Sequence, residues 1–257
     1  MIGIFDSGLG GLTAYRELHT LLPSEHFVYF GDTGRVPYGT RSHELLLKYA
    51  RQDIRFLISK GADAILAACG TVSSVVLDEI KSEFSVPIVG VVDASAAEAL
   101  AATKNGVIGV IGTGATVSSG AFEKKLKNGG AKEVVSVACP LFVPLVENGY
   151  ISKDCEVTKL VAADYLEKIK ASGADTLILG CTHFPIIADI ISDALPGVTL
   201  INSGAAAAKA IAVDIAKRGG SKSEFYVSDS PVNFDSVARI FLGGKTVSAE
   251  KIDIEKY

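Results

Sequence analysis

The chain has 257 residues, of which 48% are hydrophobic and 21% charged, with a formal net charge of −4. That length holds two ordinary domains or one large one, and that balance excludes a disordered or coiled-coil protein. A net negative chain without a dense Lys/Arg patch carries no nucleic-acid footprint, and no apolar run approaches the roughly 18 residues that would cross a bilayer.

Strand-like apolar runs alternate with helical patterns along the whole chain, the mark of a parallel sheet covered by helices on both faces. Gly3–Phe5 is the first strand. Its start, Ile2-Gly-Ile-Phe5, lacks the basic and long apolar regions of a signal peptide, so a cytoplasmic protein with no membrane partner is expected. The turn Asp6-Ser7-Gly8-Leu9-Gly10-Gly11-Leu12-Thr13 leads into a helix over Ala14–Leu22. Its glycines allow a tight turn and close approach of a ligand to the backbone, and Asp6 with Ser7 suits an ammonium group and a neighbouring thiol. A plain helix cap is the alternative. A dinucleotide fingerprint would need Gly where Thr13 stands.

Phe27–Phe30 is the second strand, followed by a Gly/Pro-rich loop with Tyr38 between Pro37 and Gly39. Turn chemistry alone explains the Gly and Pro, while a large amphipathic ring on a strand-end loop also suits a binding role. A helix over Ser42–Lys60 leads to the strand Ala64–Ala67, which ends in Cys69-Gly70-Thr71. Helical character is expected from Val75 to Phe84, then a strand at Ile88–Val91 and a helix over Ala94–Thr103. Val107–Ile111 runs into Gly112-Thr113-Gly114-Ala115-Thr116. A helix over Ala121–Gly129 carries Lys124, Lys125 and Lys127, the densest basic group, as a solvated face.

The strand Val134–Val137 precedes Cys139, and Glu147 is a carboxylate in a predominantly apolar loop. Cys155–Ser172 is helical. The strand Thr176–Leu179 ends in Cys181-Thr182-His183, and helical character returns from Ile186 to Leu195. A strand at Thr199–Ile201, a helix over Ala205–Arg218, a loop from Gly219-Gly220 through the Ser/Lys stretch, and a helix over Asp235–Leu242 complete the chain.

Two local sentences repeat. Gly61-Ala-Asp-Ala-Ile-Leu-Ala-Ala-Cys69 matches Gly173-Ala-Asp-Thr-Leu-Ile-Leu-Gly-Cys181, and Ile2-Gly-Ile-Phe-Asp6-Ser7-Gly8 is echoed by Ile108-Gly-Val-Ile-Gly112-Thr113-Gly114. Two pseudo-symmetric α/β domains are therefore expected, each a mostly parallel sheet flanked by helices, with an active site in the cleft between them. The first domain is expected at 1–93 plus 204–257 and the second at 94–203, although a split into 1–95 and 96–257 would read almost the same.

A Cys in a strand is ordinarily a small hydrophobe, and Cys139 and Cys155 are read so. Cys69 and Cys181 differ because they hold equivalent repeat positions, each with a Thr following, at strand ends where helix N-termini lower a thiol's pKa. A pair of matched thiols on opposite sides of a substrate suits removal and return of a carbon-bound proton. His183 is placed to polarise Cys181 or take its proton, against the ordinary reading of a satisfied structural histidine. No Cys pair has the spacing of a zinc site, and no lysine environment suggests pyridoxal phosphate, so no metal or cofactor is expected.

These residues resemble the glutamate racemases, within the cofactor-independent aspartate/glutamate racemase superfamily. The resemblance spans essentially the whole chain, from Asp6-Ser7-Gly8-Leu9-Gly10-Gly11 through Pro37-Tyr38-Gly39 and Ala68-Cys69-Gly70-Thr71 to Gly180-Cys181-Thr182-His183-Phe184-Pro185. It implies interconversion of L- and D-glutamate for peptidoglycan synthesis, commonly by a homodimer. Carried over by position, Cys69 would take the α-proton from D-glutamate and Cys181 from L-glutamate, with Asp6 assisting the first and His183 and Glu147 the second. Substrate contacts would fall on Asp6, Ser7, Tyr38, Gly39, Gly70, Thr71, Thr113, Thr116, Thr182 and His183. The family usually has Cys-Asn-Thr where this chain has Cys69-Gly70-Thr71, so the amide is missing, and Gly70 is expected to offer a backbone N–H and extra room. Asn202 stands where Asp is common. The competing readings are a racemase of aspartate or another amino acid, a non-catalytic amino-acid-binding protein, and a thiol hydrolase using Cys181 and His183 that leaves Cys69 without a purpose.

Overall fold

Both faces of β1 (Ile2–Asp6) are buried, and that explains the architecture. Ile2 and Ile4 enter one apolar cluster, with Leu12, Leu18, Tyr29 and Leu66, while Phe5 enters another, with Val28, Phe30, Leu57 and Ile65. A strand buried on both faces reads as an unbroken apolar run, as parallel sheets covered by helices require. The computed structural model describes residues 1–214, 220–229 and 234–257. Among the described residues the strands form two parallel sheets with helices between successive strands, an α/β fold.

The first sheet has the order β10 (Glu250–Lys251), β9 (Ser223–Val227), β2 (Phe27–Gly31), β1, β3 (Ala64–Ala67), β4 (Ile88–Gly90). The second runs β6 (Glu133–Ala138), β5 (Val107–Gly112), β7 (Thr176–Leu179), β8 (Thr199–Asn202). In register, Phe5 lies beside Phe30 and Ala67, and Ile111 beside Val137 and Leu179, so the turns that follow these strands emerge side by side. The largest apolar cluster draws on both sheets, with Ile2, Ile4 and Leu66 from one and Val107, Ile111, Leu177 and Leu179 from the other. The helix Ser203–Asp214 adds Ala207, Ala208 and Ile211 to this cluster and packs on the helices Leu12–Leu21 and Val91–Ala102. Its run of alanines lets those helices approach closely, and Gly204 lies against Ala14.

All eight expected strands form. Val91 opens the helix Val91–Ala102 instead of ending β4. The Ser/Lys stretch is not all loop: Ser223–Val227 is β9, paired in parallel with β2 and β10, because Phe225, Tyr226 and Val227 carry enough apolar surface to continue the sheet. The expected helix from Val75 to Phe84 is broken into Gly70–Val75, Leu77–Ile80 and a 3₁₀ turn at Lys81–Glu83, and that from Ile186 begins as a 3₁₀ turn at Phe184–Ile187 before Ala188–Ala194. The helix expected over Ala205–Arg218 is described as Ser203–Asp214, and residues 215–218 and Gly219 of the adjoining loop lie outside the described residues. Glu147 is not in a loop: it ends the short helix Phe142–Glu147, whose Phe142 and Val146 are buried.

Candidate active site

Because every strand in both sheets is parallel, the turns at their carboxyl ends gather on one side of each sheet, where α/β proteins bind ligands. There they enclose a cavity of about 440 Å³. The first sheet contributes Asp6, Ser7, Tyr38, Gly39, Cys69, Gly70 and Thr71, and the second contributes Thr113, Glu147, Cys181, Thr182 and His183. Thr116 is not on the wall. It is buried behind Thr113, whose hydroxyl donates to Thr116 Oγ1 at 3.0 Å.

Cys69 follows β3 and caps the helix Gly70–Val75 with extended backbone angles, its carbonyl accepting from Ser73 N–H at 3.0 Å. Burial pushes its thiol up to about 12, and the nearby Asp6 and Cys181 push the same way against the Val72 amide and the Ser7 hydroxyl. Asp6, at the end of β1, accepts from Gly8 N–H at 3.0 Å. Burial raises its carboxyl as well, opposed by His183 and by the amides of Gly8, Gly11 and Ser7. One thiol is thus held neutral beside a carboxyl whose own ionisation is resisted by the same dry surroundings.

The Cys181 side is built differently. Thr182 and His183 follow Cys181 in the turn before the 3₁₀ segment, and the His183 side chain is 7% exposed. Its Nδ1 lies 3.8 Å from Cys181 Sγ and 3.3 Å from Thr182 Oγ1, and its Nε2 lies 2.9 Å from Glu147 Oε1. Burial alone would depress the imidazolium, but the hydrogen bonds and charges of Cys181 and Glu147 prevail and raise it to about 10. At neutral pH the arrangement places a cation against the Cys181 sulfur and a neutral thiol at Cys69.

The two halves hold each other in a reciprocal way. The glycine turn after β1 lies against the Cys181 turn, with Thr13 Oγ1 donating to Thr182 O at 3.0 Å. A Cβ on Gly10 would fall 2.3 Å from Thr182 Oγ1 and 2.6 Å from the His183 ring, so this turn needs Gly for the approach itself. On the other side, the turn after β5 lies against the Cys69 turn, with Thr71 Oγ1 and Thr113 Oγ1 3.1 Å apart. Gly70 does not open extra room. The space its side chain would take is filled by the Gly180 carbonyl oxygen, 2.1 Å from the Cβ position. Asn202 turns away to cap its own helix, its Oδ1 accepting from Ala205 N–H at 3.2 Å.

Behind Tyr38 lies a group that the linear pattern did not mark. The ring lines the cavity while its hydroxyl points inward to Asp32 Oδ2 and, at 3.1 Å, to Asp53 Oδ2. Burial and the neighbouring Asp32 hold the Asp53 carboxyl well above its usual range. Arg35 joins the set, with Nε 2.6 Å from Asp32 Oδ2 and Nη2 3.3 Å from Asp53 Oδ1, and its guanidinium lies over Tyr49. These groups pin the wall of the cavity. Cys139, read as a structural thiol, is buried as expected but also lines the cavity, with Pro140, Val143 and Pro144 beside it. Its place just past the end of β6 was the available signal. Among the described residues no three or more His, Cys, Asp or Glu side chains converge in the manner of a metal site.

The family model described as Asp/Glu/Hydantoin racemase matches residues 14–211. The chain is 45% identical to a glutamate racemase from Aquifex aeolicus over 242 residues, covering 94% of each chain. In three dimensions it is similar to the crystal structure of glutamate racemase from Francisella tularensis in complex with D-glutamate, with TM-score 0.92, 35% identity, and coverage of 100% of this chain and 98% of that one. It is likewise similar to the glutamate racemase structure from Aquifex pyrophilus, with TM-score 0.85, 40% identity and 97% coverage of both.

Proposed function

The chain belongs to the Asp/Glu/hydantoin racemase family and is an amino-acid racemase, and from that premise we propose that it interconverts L- and D-glutamate by proton transfer between Cys69 and Cys181. The observation that carries this reading is the unlike state of two thiols on one cavity: a cationic His183 against Cys181, and a buried neutral thiol at Cys69. Two thiols on one cavity can serve one as base and the other as acid, as inversion at carbon demands.

Starting from L-glutamate, the α C–H bond breaks and its proton passes to Cys181 Sγ, while the electron pair stays on the carbon and spreads into the carboxylate. The Cys69 S–H bond then breaks, its proton forming the new C–H bond on the opposite face. D-glutamate leaves, and the reverse reaction begins from the protonation states so produced. The α-proton is weakly acidic, so the charge that develops needs donors already in place. Backbone N–H groups of the strand-end turns and the hydroxyls of Ser7, Thr71 and Thr182 supply them, with Thr113, Tyr38 and Gly39 completing the wall. Gly70 contributes its backbone, and Thr116 acts through Thr113. Asp6 positions Cys69, and Glu147 holds His183 in its charged form. No cofactor takes part in this reading.

The same reading includes two units, 1–93 plus 204–257 and 94–203, a homodimer, and supply of D-glutamate to peptidoglycan synthesis in the cytoplasm; its support is the family resemblance. Among the described residues no helix is long and apolar enough to cross a membrane.

The test follows α-proton loss from L-glutamate by NMR in D₂O together with circular dichroism, with no added cofactor. Wild-type protein is expected to exchange the proton and lose optical activity together. Cys69→Ala and Cys181→Ala are each expected to lower turnover by about 10³-fold or more. Turnover surviving either change rejects the two-thiol scheme, and exchange with aspartate but not glutamate changes the substrate and keeps the chemistry.

A further inference from the structure

Behind the cavity wall, one phenol meets two buried carboxyl groups. Tyr38 Oη lies against Asp32 Oδ2 and, at 3.1 Å, against Asp53 Oδ2, and all three side chains are buried. A phenol has one proton to donate. It serves only one of these oxygens, so the other contact is a hydrogen bond only when that carboxyl carries a proton of its own and donates to the Tyr38 oxygen.

The remaining contacts decide which carboxyl that is. Asp32 Oδ2 also accepts from Arg35 Nε at 2.6 Å, while Asp32 Oδ1 is buried with no hydrogen-bond partner among the described residues. A proton on Oδ2 would compete with the guanidinium and the phenol for one oxygen, and a proton on Oδ1 would have nothing to bond. Asp53 differs, because its Oδ1 accepts from Arg35 Nη2 at 3.3 Å and leaves Oδ2 to the phenol oxygen. The balance of charge agrees. With Asp53 neutral, one buried anion, Asp32, stands against one cation, Arg35, which half-exposed Glu255 also reaches at 3.2 Å; a second buried anion would have no cation of its own. Asp53 lies on the helix His43–Ser59, and titratable groups act on it from β1 and from the loop after β2. Burial, then Asp32 and finally Asp6 favour the neutral acid, while Arg35 and Tyr38 oppose it.

We propose that Asp53 is a positioning residue: it keeps a proton at neutral pH and donates a hydrogen bond to Tyr38, which donates in turn to Asp32, so the ring is held from behind by a one-way chain. The ring lines the cavity, and the next residue, Gly39, lies against Thr113 of the second sheet, so a fixed phenol sets a stretch of wall that spans both sheets. The proposal rests on the reading of this cavity as the substrate site.

The experiment is Asp53→Asn, whose amide has the shape of the neutral acid, donates to Tyr38 and accepts from Arg35. Infrared spectra at neutral pH are expected to show the carbonyl band of a neutral carboxyl group in the wild type that is lost in Asp53→Asn. In urea, the wild type should lose stability relative to Asp53→Asn as the pH rises from about 4, because the folded state binds this proton more tightly than the unfolded chain. Asp53→Asn is expected to keep KM and kcat within about threefold, whereas Asp53→Ala, which neither donates nor accepts, raises KM about 10-fold, the worth of one hydrogen bond. A band that persists in Asp53→Asn, or an Asp53→Asn protein less stable than the wild type at neutral pH, overturns the proposal. An unchanged KM in Asp53→Ala overturns it as well. Should Asp53→Ala not melt cooperatively, Tyr38→Phe removes the oxygen that accepts from Asp53, and the same rise in KM is expected, with an unchanged KM overturning the proposal. The infrared band and the urea midpoints do not depend on turnover, so failure of the racemase reading, seen as no exchange by the wild type, is told apart from failure of this proposal.

Discussion

His183 carries three neighbours on two ring nitrogens, and that crowding decides its charge. Cys181 and Thr182 share Nδ1 while Glu147 takes Nε2 at 2.9 Å. Its value of about 10 in the folded protein, against 6.5 for a free histidine, means that the folded state holds this proton more tightly than the unfolded chain. The stability so contributed is fully present below about pH 6.5 and is lost as the pH rises towards 10. Between pH 6.5 and 9, below the range in which Cys69 adds its own dependence, urea midpoints of the wild type should fall more steeply than those of His183→Asn. Parallel slopes would show that the pairing is not felt in stability. Glu147→Gln removes the exposed half of the pairing and is expected to lower activity at high pH before low pH, because the imidazolium then loses its proton earlier.

The glycine turn after β1 shows how an element can be shaped by a partner remote in sequence. Gly10 is bare because Thr182 and His183 occupy the place of a side chain, and Gly31 because a Cβ there would lie 2.3 Å from Gly8 O. Tyr29 closes the same turn by donating to Gly8 O at 2.8 Å. Gly10→Ala overpacks this seam and is expected to destabilise the protein by about 1–3 kcal/mol, read as a lower denaturant midpoint with an unchanged m-value. The strand–turn–helix pattern was readable because short unbroken apolar runs, glycine-rich turns and amphipathic helices are local properties of the chain. The reason for each individual glycine was not, since the atoms that exclude a side chain come from segments remote in the chain, the other sheet for Gly10 and the neighbouring strand's turn for Gly31.

For the whole molecule, the wall of the cavity depends on the C-terminal segment. Arg35 joins Asp32 and Asp53 to Glu255, whose Oε1 lies 3.2 Å from Nη1, and Glu255 also takes Lys48 at 2.7 Å. Ile252 N–H donates to Val227 O at 2.8 Å, so the segment bearing Glu255 is fastened along the sheet edge. Arg35→Ala leaves two buried carboxyl groups without their cation and is expected to cost about 3 kcal/mol, measured by chemical unfolding. Arg35→Lys should recover only part, because a single ammonium cannot reproduce the fork that reaches Asp32, Gln52 and Asp53 together. Glu255→Gln, with a half-exposed partner, is expected to shift stability by about 1 kcal/mol or less.

By itself the amino-acid order determined the α/β class, the eight strands expected of it, the repeated Cys turns and the family, because burial patterning and short motifs are written in neighbouring residues. Only the tertiary structure decided that Gly70 is a contact and not a space, that Thr116 stands behind Thr113, that Cys139 reaches the cavity wall, and that the Tyr38 hydroxyl turns inward to Asp32 and Asp53. Each of these depends on which strand ends lie side by side. Parallel strands far apart in the chain become neighbours through long crossovers, and the side chain or carbonyl that fills a given space then comes from a segment that local pattern does not name.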